Sequence, residues 1–257
     1  MVSTALPGMR RIEHVMGMPI VIDLRDDDAA EDLLDRAFDE FRAVDERFST
    51  YKQTSEITRL NRGELALADA HADVREILSR CEDLRRETRG YFDARAAGTP
   101  GLDPSGLVKG WSVERVSNLL AELEARNYAI NAGGDVIVRG RGLPDDCWRV
   151  GIQHPAMDDK VAAVVVAGDL AIATSGAYAR GDHIIDPHTG GPPAGVLSVT
   201  ITGPSLATAD AYATAAFAMG TAGPAWTARL RGYEAMTILV DGRVLSTPGF
   251  PSEEDPG

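Results

Sequence analysis

The chain has 257 residues, of which 44% are hydrophobic and 25% charged, the make-up of an ordinary globular protein long enough to bury one large core. Its net charge of −13 excludes broad nucleic-acid binding, which needs a basic face to neutralise phosphates. Cys81 and Cys147 lie far apart with no CxxC or Cys/His ligand spacing. Ahead of Val15, MVSTALPGMRRIEH carries no apolar run before a small-residue cleavage site and no lipid-attachment cysteine. No segment approaches the ~20 apolar residues of a membrane span. A cytoplasmic protein without membrane insertion is expected.

In chain order, the segment from Arg11 to Leu24 alternates loosely and reads as a strand pair or bent strand around Gly17. Asp27 or Asp28 is placed to cap a helix running to about Ser49, with Leu33, Leu34, Ala37, Phe38, Phe41, Val44 and Phe48 on one face. Ser55, followed by Thr58 and Leu60, looks like the start of a short helix. A further helix spans about Ala72 to Glu87, with Val74, Ile77, Leu78, Cys81 and Leu84 inward, so that Cys81 reads as a buried small hydrophobe. The next begins near Ser105 and continues to about Ala125. After Tyr128 come strand-like runs at YAIN, DVIVRG, WRVGIQ, VAAVVVAG, LAIATS and VLSVTIT, separated by Gly, Pro and Asp turns. A helix of small residues from about Leu206 to Met219, a short helix after Pro224 and a hairpin turned at Asp241-Gly242 complete the chain. The pattern predicts one α+β domain over residues 11–250, a mostly antiparallel sheet packed with helices. Residues 1–10 form an extension and 251–257 a disordered acidic tail.

Four segments carry candidate chemistry. In DPSGLVKGW, Asp103 and Ser105 stand just before a helix whose free N–H groups point outward, with Gly106 and Lys109 in its first turn. This is either a capped helix start or an anion site in which a cation and the helix dipole act together. NAGGD offers Gly133-Gly134 for a tight turn or close approach to a ligand, but it does not match GxGxxG, so a Rossmann dinucleotide fold is unsupported. In ADAYATAAFAMG, Asp210 and Thr214 stand at i and i+4, hence on one helical face. This is either a Thr hydroxyl bonded back to a carbonyl beside a solvated Asp, or a pair of hard oxygen donors suited to Mg²⁺ rather than Zn²⁺. The Gly- and Pro-rich stretch TSGAYARGDHIIDPHTGGPP carries His183, Asp186 and His188, of which His183 is the candidate general base. His14, His71 and His154 read as structural or exposed, and His188 stays ambiguous.

STYKQTSEITRLN, GYFD, DPSGLVKGW, NAGGD, TSGAY, HIIDPHTG and ADAYAT occur in this order. In that arrangement the chain resembles the ApbE family of FAD:protein FMN transferases, from about Met16 to the closing hairpin. The resemblance implies a single ApbE-like, T-fold-related domain. It also implies a Mg²⁺-dependent enzyme that binds FAD, splits its pyrophosphate, releases AMP and joins FMN by a phosphoester bond to a Thr or Ser of an acceptor flavoprotein. Some members instead hydrolyse FAD to FMN and AMP. A non-catalytic FAD carrier is a third reading, opposed by the retained His183, Asp210 and Thr214.

Carried over by position, Met16, Tyr51, Gly90, Tyr91, Phe92 and Asp93 match positions around the flavin and adenosine parts of FAD. Asp103 and Lys109 match FAD-contacting positions at the helix start, and Thr174 and Ser175 the turn beside the phosphates. The backbone carbonyl of Gly106 and the side chains of Asp210 and Thr214 match the metal shell, and His183 the residue that deprotonates the acceptor hydroxyl. Most members carry additional chain between the FD and DxSG motifs, whereas here Asp103 follows Asp93 by ten residues, which shortens one wall of the implied flavin pocket.

Overall fold

A computed structural model describes residues 8–26, 30–95, 101–142, 146–157, 159–176 and 184–253. Strands β1 (Met9–Val15) and β2 (Met18–Leu24) form a hairpin whose two turn residues, Met16 and Gly17, have φ of 56° and 73°. Positive φ at both positions is the turn that follows the right-handed twist of paired strands. Because β1 takes in Met9 and Arg10, the domain starts inside the segment expected to be an extension.

Helix α1 (Glu31–Phe48) buries Leu34, Ala37, Phe38, Phe41, Val44 and Phe48, the apolar stripe read from the sequence. Asp27 and Asp28, the expected caps, lie outside the described residues. The N-cap position is Ala30, which supplies no side-chain bond, while Glu31 and Asp32 place negative charge in the first turn. In α2 (Glu56–Asn61) the Ser55 hydroxyl accepts the Thr58 N–H. Helix α3 (Ala72–Glu87) has the bounds the periodicity predicts, and α4 (Ser105–Glu122) stops three residues short of the expected end.

The remaining elements are β3 (Tyr128–Ala132), β4 (Asp135–Arg139), β5 (Trp148–Gln153), β6 (Val161–Ala167), β7 (Leu170–Gly176), β8 (Val196–Gly203), α5 (Leu206–Ala218), α6 (Gly223–Thr227), β9 (Glu234–Leu239) and β10 (Val244–Ser246). Eight strands form one sheet in the order β1-β2-β3-β4-β7-β8-β9-β10, every neighbouring pair antiparallel. Strands β5 and β6 make a separate hairpin.

Strand alternation sends Ile20, Ile22, Ile130, Ile137, Ala171, Ala173, Val199 and Ile201 into one core with the helices. The intervening residues, among them Val136, Ile172, Met236 and Ile238, face the β5–β6 hairpin on the other side. The fold is therefore α+β in three layers, helices on one face of the sheet and a hairpin over part of the other. The chain expected to be disordered from residue 251 instead stays paired as far as Glu253. Ser252 bridges to Val165, and the Glu253 N–H donates to the Val164 carbonyl at 2.8 Å. Among the described residues no helix is long and apolar enough to cross a membrane.

Helices α4 and α5 make a backbone contact at Gly110. A Cβ there would lie 2.6 Å from the Leu206 carbonyl oxygen and 2.9 Å from the Ala207 Cα. The small residues of α5 thus permit a backbone contact, and one added methyl group has no space. We expect Gly110→Ala to lower stability by about 1–3 kcal/mol, the usual cost of overpacking, despite alanine's better helix propensity; a urea midpoint equal to that of the wild type contradicts this. Cys81 is buried against the core, and burial pushes its thiol up to about 12, while Cys147 is exposed. At pH 8 a thiol reagent is therefore expected to label Cys147 promptly and Cys81 only on unfolding, since the thiolate is the reactive form. Intact-mass analysis counts the labels.

Candidate active site

Four elements converge at one end of the sheet. Helix α4 carries Lys109, whose Nζ lies 2.6 Å from Asp135 Oδ2 and 3.3 Å from Asp210 Oδ1. Asp135 opens β4, immediately after the β3–β4 turn in which Gly133 and Gly134 take φ of 59° and 103°. Its Oδ1 accepts the Thr174 N–H of β7 at 3.1 Å. Asp210 lies in the second turn of α5, and its Oδ2 accepts the Gly110 N–H at 3.2 Å. In a regular helix that N–H serves the carbonyl four residues back, here Gly106, so Asp210 competes for the donor of the carbonyl that the family resemblance assigns to the metal. Thr214, one turn beyond Asp210, brings its hydroxyl to 3.4 Å from Ser175 Oγ.

Both carboxylates are buried, and one ammonium serves them. Burial pushes the Asp210 carboxyl well above the usual carboxylate range. Lys109 and the Gly110 N–H oppose this shift, and the like charge of Asp135 adds to it. The cluster holds one net negative charge with both acids ionised. Its carboxylate and hydroxyl oxygens are hard donors, the chemistry of a Mg²⁺ site. Among the described residues no cluster of three His, Cys, Asp or Glu side chains forms, so a cation here draws on mixed donors. Asp210 and Thr214 offer a carboxylate and a hydroxyl one turn apart on α5, and Gly106 a backbone carbonyl whose usual N–H partner Asp210 engages.

A second wall adjoins this cluster. Thr88 at the end of α3 donates to the Leu84 carbonyl and accepts the Phe92 N–H at 2.9 Å, which fixes the turn through Gly90 and Tyr91. Phe92 is buried with its ring against Gly106, where a Cβ would stand 3.2 Å from Cε2. Asp93 Oδ1 accepts the Arg95 N–H. The Asp103 N–H donates to the Ala94 carbonyl at 2.7 Å, joining the two motifs separated by the short connection. Asp103 Oδ1 accepts the Ser105 N–H at 3.0 Å and so does serve the start of α4, although Pro104 occupies the N-cap position. Asn61 holds the preceding residue from both sides, accepting the Leu102 N–H and donating to its carbonyl.

Gly90, Tyr91, Phe92, Asp103, Gly106, Lys109, Ser175, Asp210 and Thr214 are thus drawn into one contiguous region, with Asp93 beside it. Thr174 and Tyr51 stand differently from expectation. Strand alternation turns the Thr174 side chain to the opposite face, where its hydroxyl meets Thr200 at 2.9 Å and borders a cavity of about 590 Å³ beneath β5; only its N–H reaches Asp135. Tyr51 is 91% exposed, and among the described residues no ring contact ties it to the site. Met16 packs against the main core in the β1–β2 turn. His183 lies outside the described residues.

Two residues join the site that the sequence did not single out. Asp135 was hidden behind the glycines that precede it, and its signal is an acid opening an otherwise buried apolar strand. His188, ambiguous in sequence, packs its ring against Tyr91 with centroids 4.5 Å apart, and its Nε2 donates to the Arg89 carbonyl at 3.0 Å. The loop after residue 183 is thereby docked on the GYFD segment, and Asp186 Oδ1 accepts the His188 N–H within it.

A family model described as the ApbE family matches residues 16–99 and 95–237. The chain belongs to the ApbE family. An FAD:protein FMN transferase from Vibrio cholerae is 38% identical over 129 residues, covering 46% of this chain and 39% of that protein. One from Treponema pallidum is 31% identical over 203 residues, covering 69% and 56% respectively. The chain thus spans about half the length, or less, of these curated relatives. Among solved structures, the flavin transferase ApbE from Vibrio cholerae superposes with a TM-score of 0.81 at 24% identity, over 94% of this chain and 97% of that one. The ApbE protein from Thermotoga maritima gives 0.85 at 21% identity, over 95% and 99%. At these identities the superpositions establish the ApbE fold.

Lys109→Met leaves two buried carboxylates facing each other. It is expected to destabilise the protein by about 3–5 kcal/mol, as removal of one partner from a buried ion pair does. Arg86→Met, which breaks an exposed pair with Asp83, should cost under about 1 kcal/mol. Equal urea midpoints for the two variants would contradict the buried cluster.

Proposed function

We propose that this ApbE-family chain is a Mg²⁺-dependent FAD:protein FMN transferase, with FAD as donor and a Ser or Thr of an acceptor flavoprotein as acceptor. The observation that carries the reading is Lys109 held between Asp135 and Asp210, beside the start of α4 and the hydroxyls of Ser175 and Thr214. The names of the relatives support it.

In this reading the acceptor hydroxyl oxygen forms a bond to the FMN-side phosphorus of FAD. The phosphoanhydride bond to AMP breaks, AMP leaves, and the hydroxyl proton passes to His183. Displacement at phosphorus asks the protein for position and charge compensation. Lys109 is fixed by two carboxylates, so its ammonium is already oriented when phosphate oxygens arrive. Asp103 sets the first turn of α4, whose free N–H groups favour negative charge. Gly90, Tyr91, Phe92 and Asp93 form the adjoining wall for the flavin or adenosine part, with His188 bracing Tyr91. The Gly106 carbonyl, Asp210 and Thr214 would hold Mg²⁺, which when bound would supply Lewis-acid stabilisation of charge on phosphate oxygens.

Incubation with FAD, Mg²⁺ and a candidate acceptor, followed by intact mass, tests the reading. The acceptor should gain the mass of FMN minus water while AMP appears. Free FMN and AMP with no adduct would assign hydrolysis instead. Asp210→Ala is expected to lose AMP release by at least about a hundredfold, within the range for groups that hold transition-state charge. His183→Ala should retain FAD binding and lose transfer; normal transfer in that variant removes His183 from the reaction.

A further inference from the structure

Gly106, Gly110 and Glu114 stand four residues apart along α4 and therefore share one face. The first belongs to the proposed metal shell, and the second meets Leu206 and donates to Asp210. Glu114 reaches the same neighbouring helix. Its Oε2 accepts the Ser205 hydroxyl at 2.9 Å and the Ala207 N–H at 3.1 Å. With its O–H directed at Glu114, Ser205 Oγ accepts the Thr208 N–H at 3.3 Å. Two of the otherwise unsatisfied first-turn N–H groups of α5 are thus bonded, one of them by a carboxylate on another helix.

We propose that Glu114 is a positioning residue for the metal-ligating helix. By gripping the first turn of α5 it fixes how far that helix slides along α4, and hence where the Asp210 carboxylate meets Gly110 and Lys109. The lever is short, because Asp210 follows Ala207 by three residues, about 4.5 Å along the helix axis. Ser205 can cap α5 without Glu114, so loss of the carboxylate leaves the helix formed and frees its register. The carboxylate also places negative charge at the positive end of α5. This inference rests on the proposed magnesium site.

The test compares Glu114→Ala and Glu114→Gln with wild type and with Glu122→Ala, an exposed position on the last turn of α4. Mg²⁺ is titrated calorimetrically into FAD-loaded protein, FAD affinity is measured without metal, and hydrogen exchange is followed at Ala207 to Asp210. Glu114→Ala should weaken Mg²⁺ binding about tenfold, as loss of groups that orient metal ligands does, and speed exchange in the first turn of α5. FAD affinity should stay within about twofold. Glu114→Gln, which keeps an acceptor oxygen, should recover most of the Mg²⁺ affinity, and Glu122→Ala should match wild type. A lower melting temperature with unchanged Mg²⁺ affinity in Glu114→Ala reduces Glu114 to a structural cap and overturns the inference. Wild-type protein that binds no Mg²⁺ with FAD overturns the magnesium reading itself, a separate outcome.

Discussion

Everything at the site depends on how closely α4 and α5 can approach. Two helices normally pack 8–10 Å apart with side chains between them. Here Gly110 meets the backbone at Leu206 and Ala207. That contact lets a main-chain N–H of α4 reach the Asp210 carboxylate on α5. Lys109, the residue before Gly110, thereby lies within reach of Asp210 and of Asp135 at the start of β4. Larger residues on either helix would separate the carboxylate from its donors and leave it buried without partners, a costly state. The glycine at position 110 is thus what the chemistry at this junction requires.

The buried cluster is a poor way to gain stability. Desolvation of two acids and a lysine offsets much of their attraction, and apolar residues of similar volume often do as well. What the arrangement supplies is orientation. Lys109 is aimed by two carboxylates, Asp135 is held by the Thr174 N–H, and Asp210 by the Gly110 N–H. Around this rigid centre the second wall is assembled from local turns, with Phe92 seated against Gly106 and His188 against Tyr91.

Much of this was legible in the sequence, and what was not has physical causes. Helices α1 and α3 were readable because one apolar stripe at helical spacing decides both existence and facing, and the strands after Tyr128 because turn residues bracket them. Asp210 and Thr214 were placed on one face by spacing alone. Asp135 was not legible as a site residue: its partner Lys109 stands on α4, and only the packing of that helix on the sheet brings them together. The Thr174 side chain failed for a related reason. Strand alternation says that Thr174 and Ser175 point oppositely, but only the pairing of β7 with β8 and the seat of α5 decide which of them faces the site. Caps were the least readable feature of α5, since one is supplied from α4 by Glu114.

Charge links the whole chain to its proposed substrate. A protein of net charge −13 repels a pyrophosphate at long range, and the cluster of two acids and one lysine offers no positive excess, being neutral with Asp210 protonated and net negative with both acids ionised. Lys109 cannot reverse that balance, since each carboxylate already engages it. A divalent cation can, and one bound among these oxygens turns the junction net positive. On this view the acids of α5 and β4 are the reason a bound cation would strengthen the site's hold on phosphate. Metal and dinucleotide binding should therefore be cooperative, each increasing the affinity for the other by the same factor.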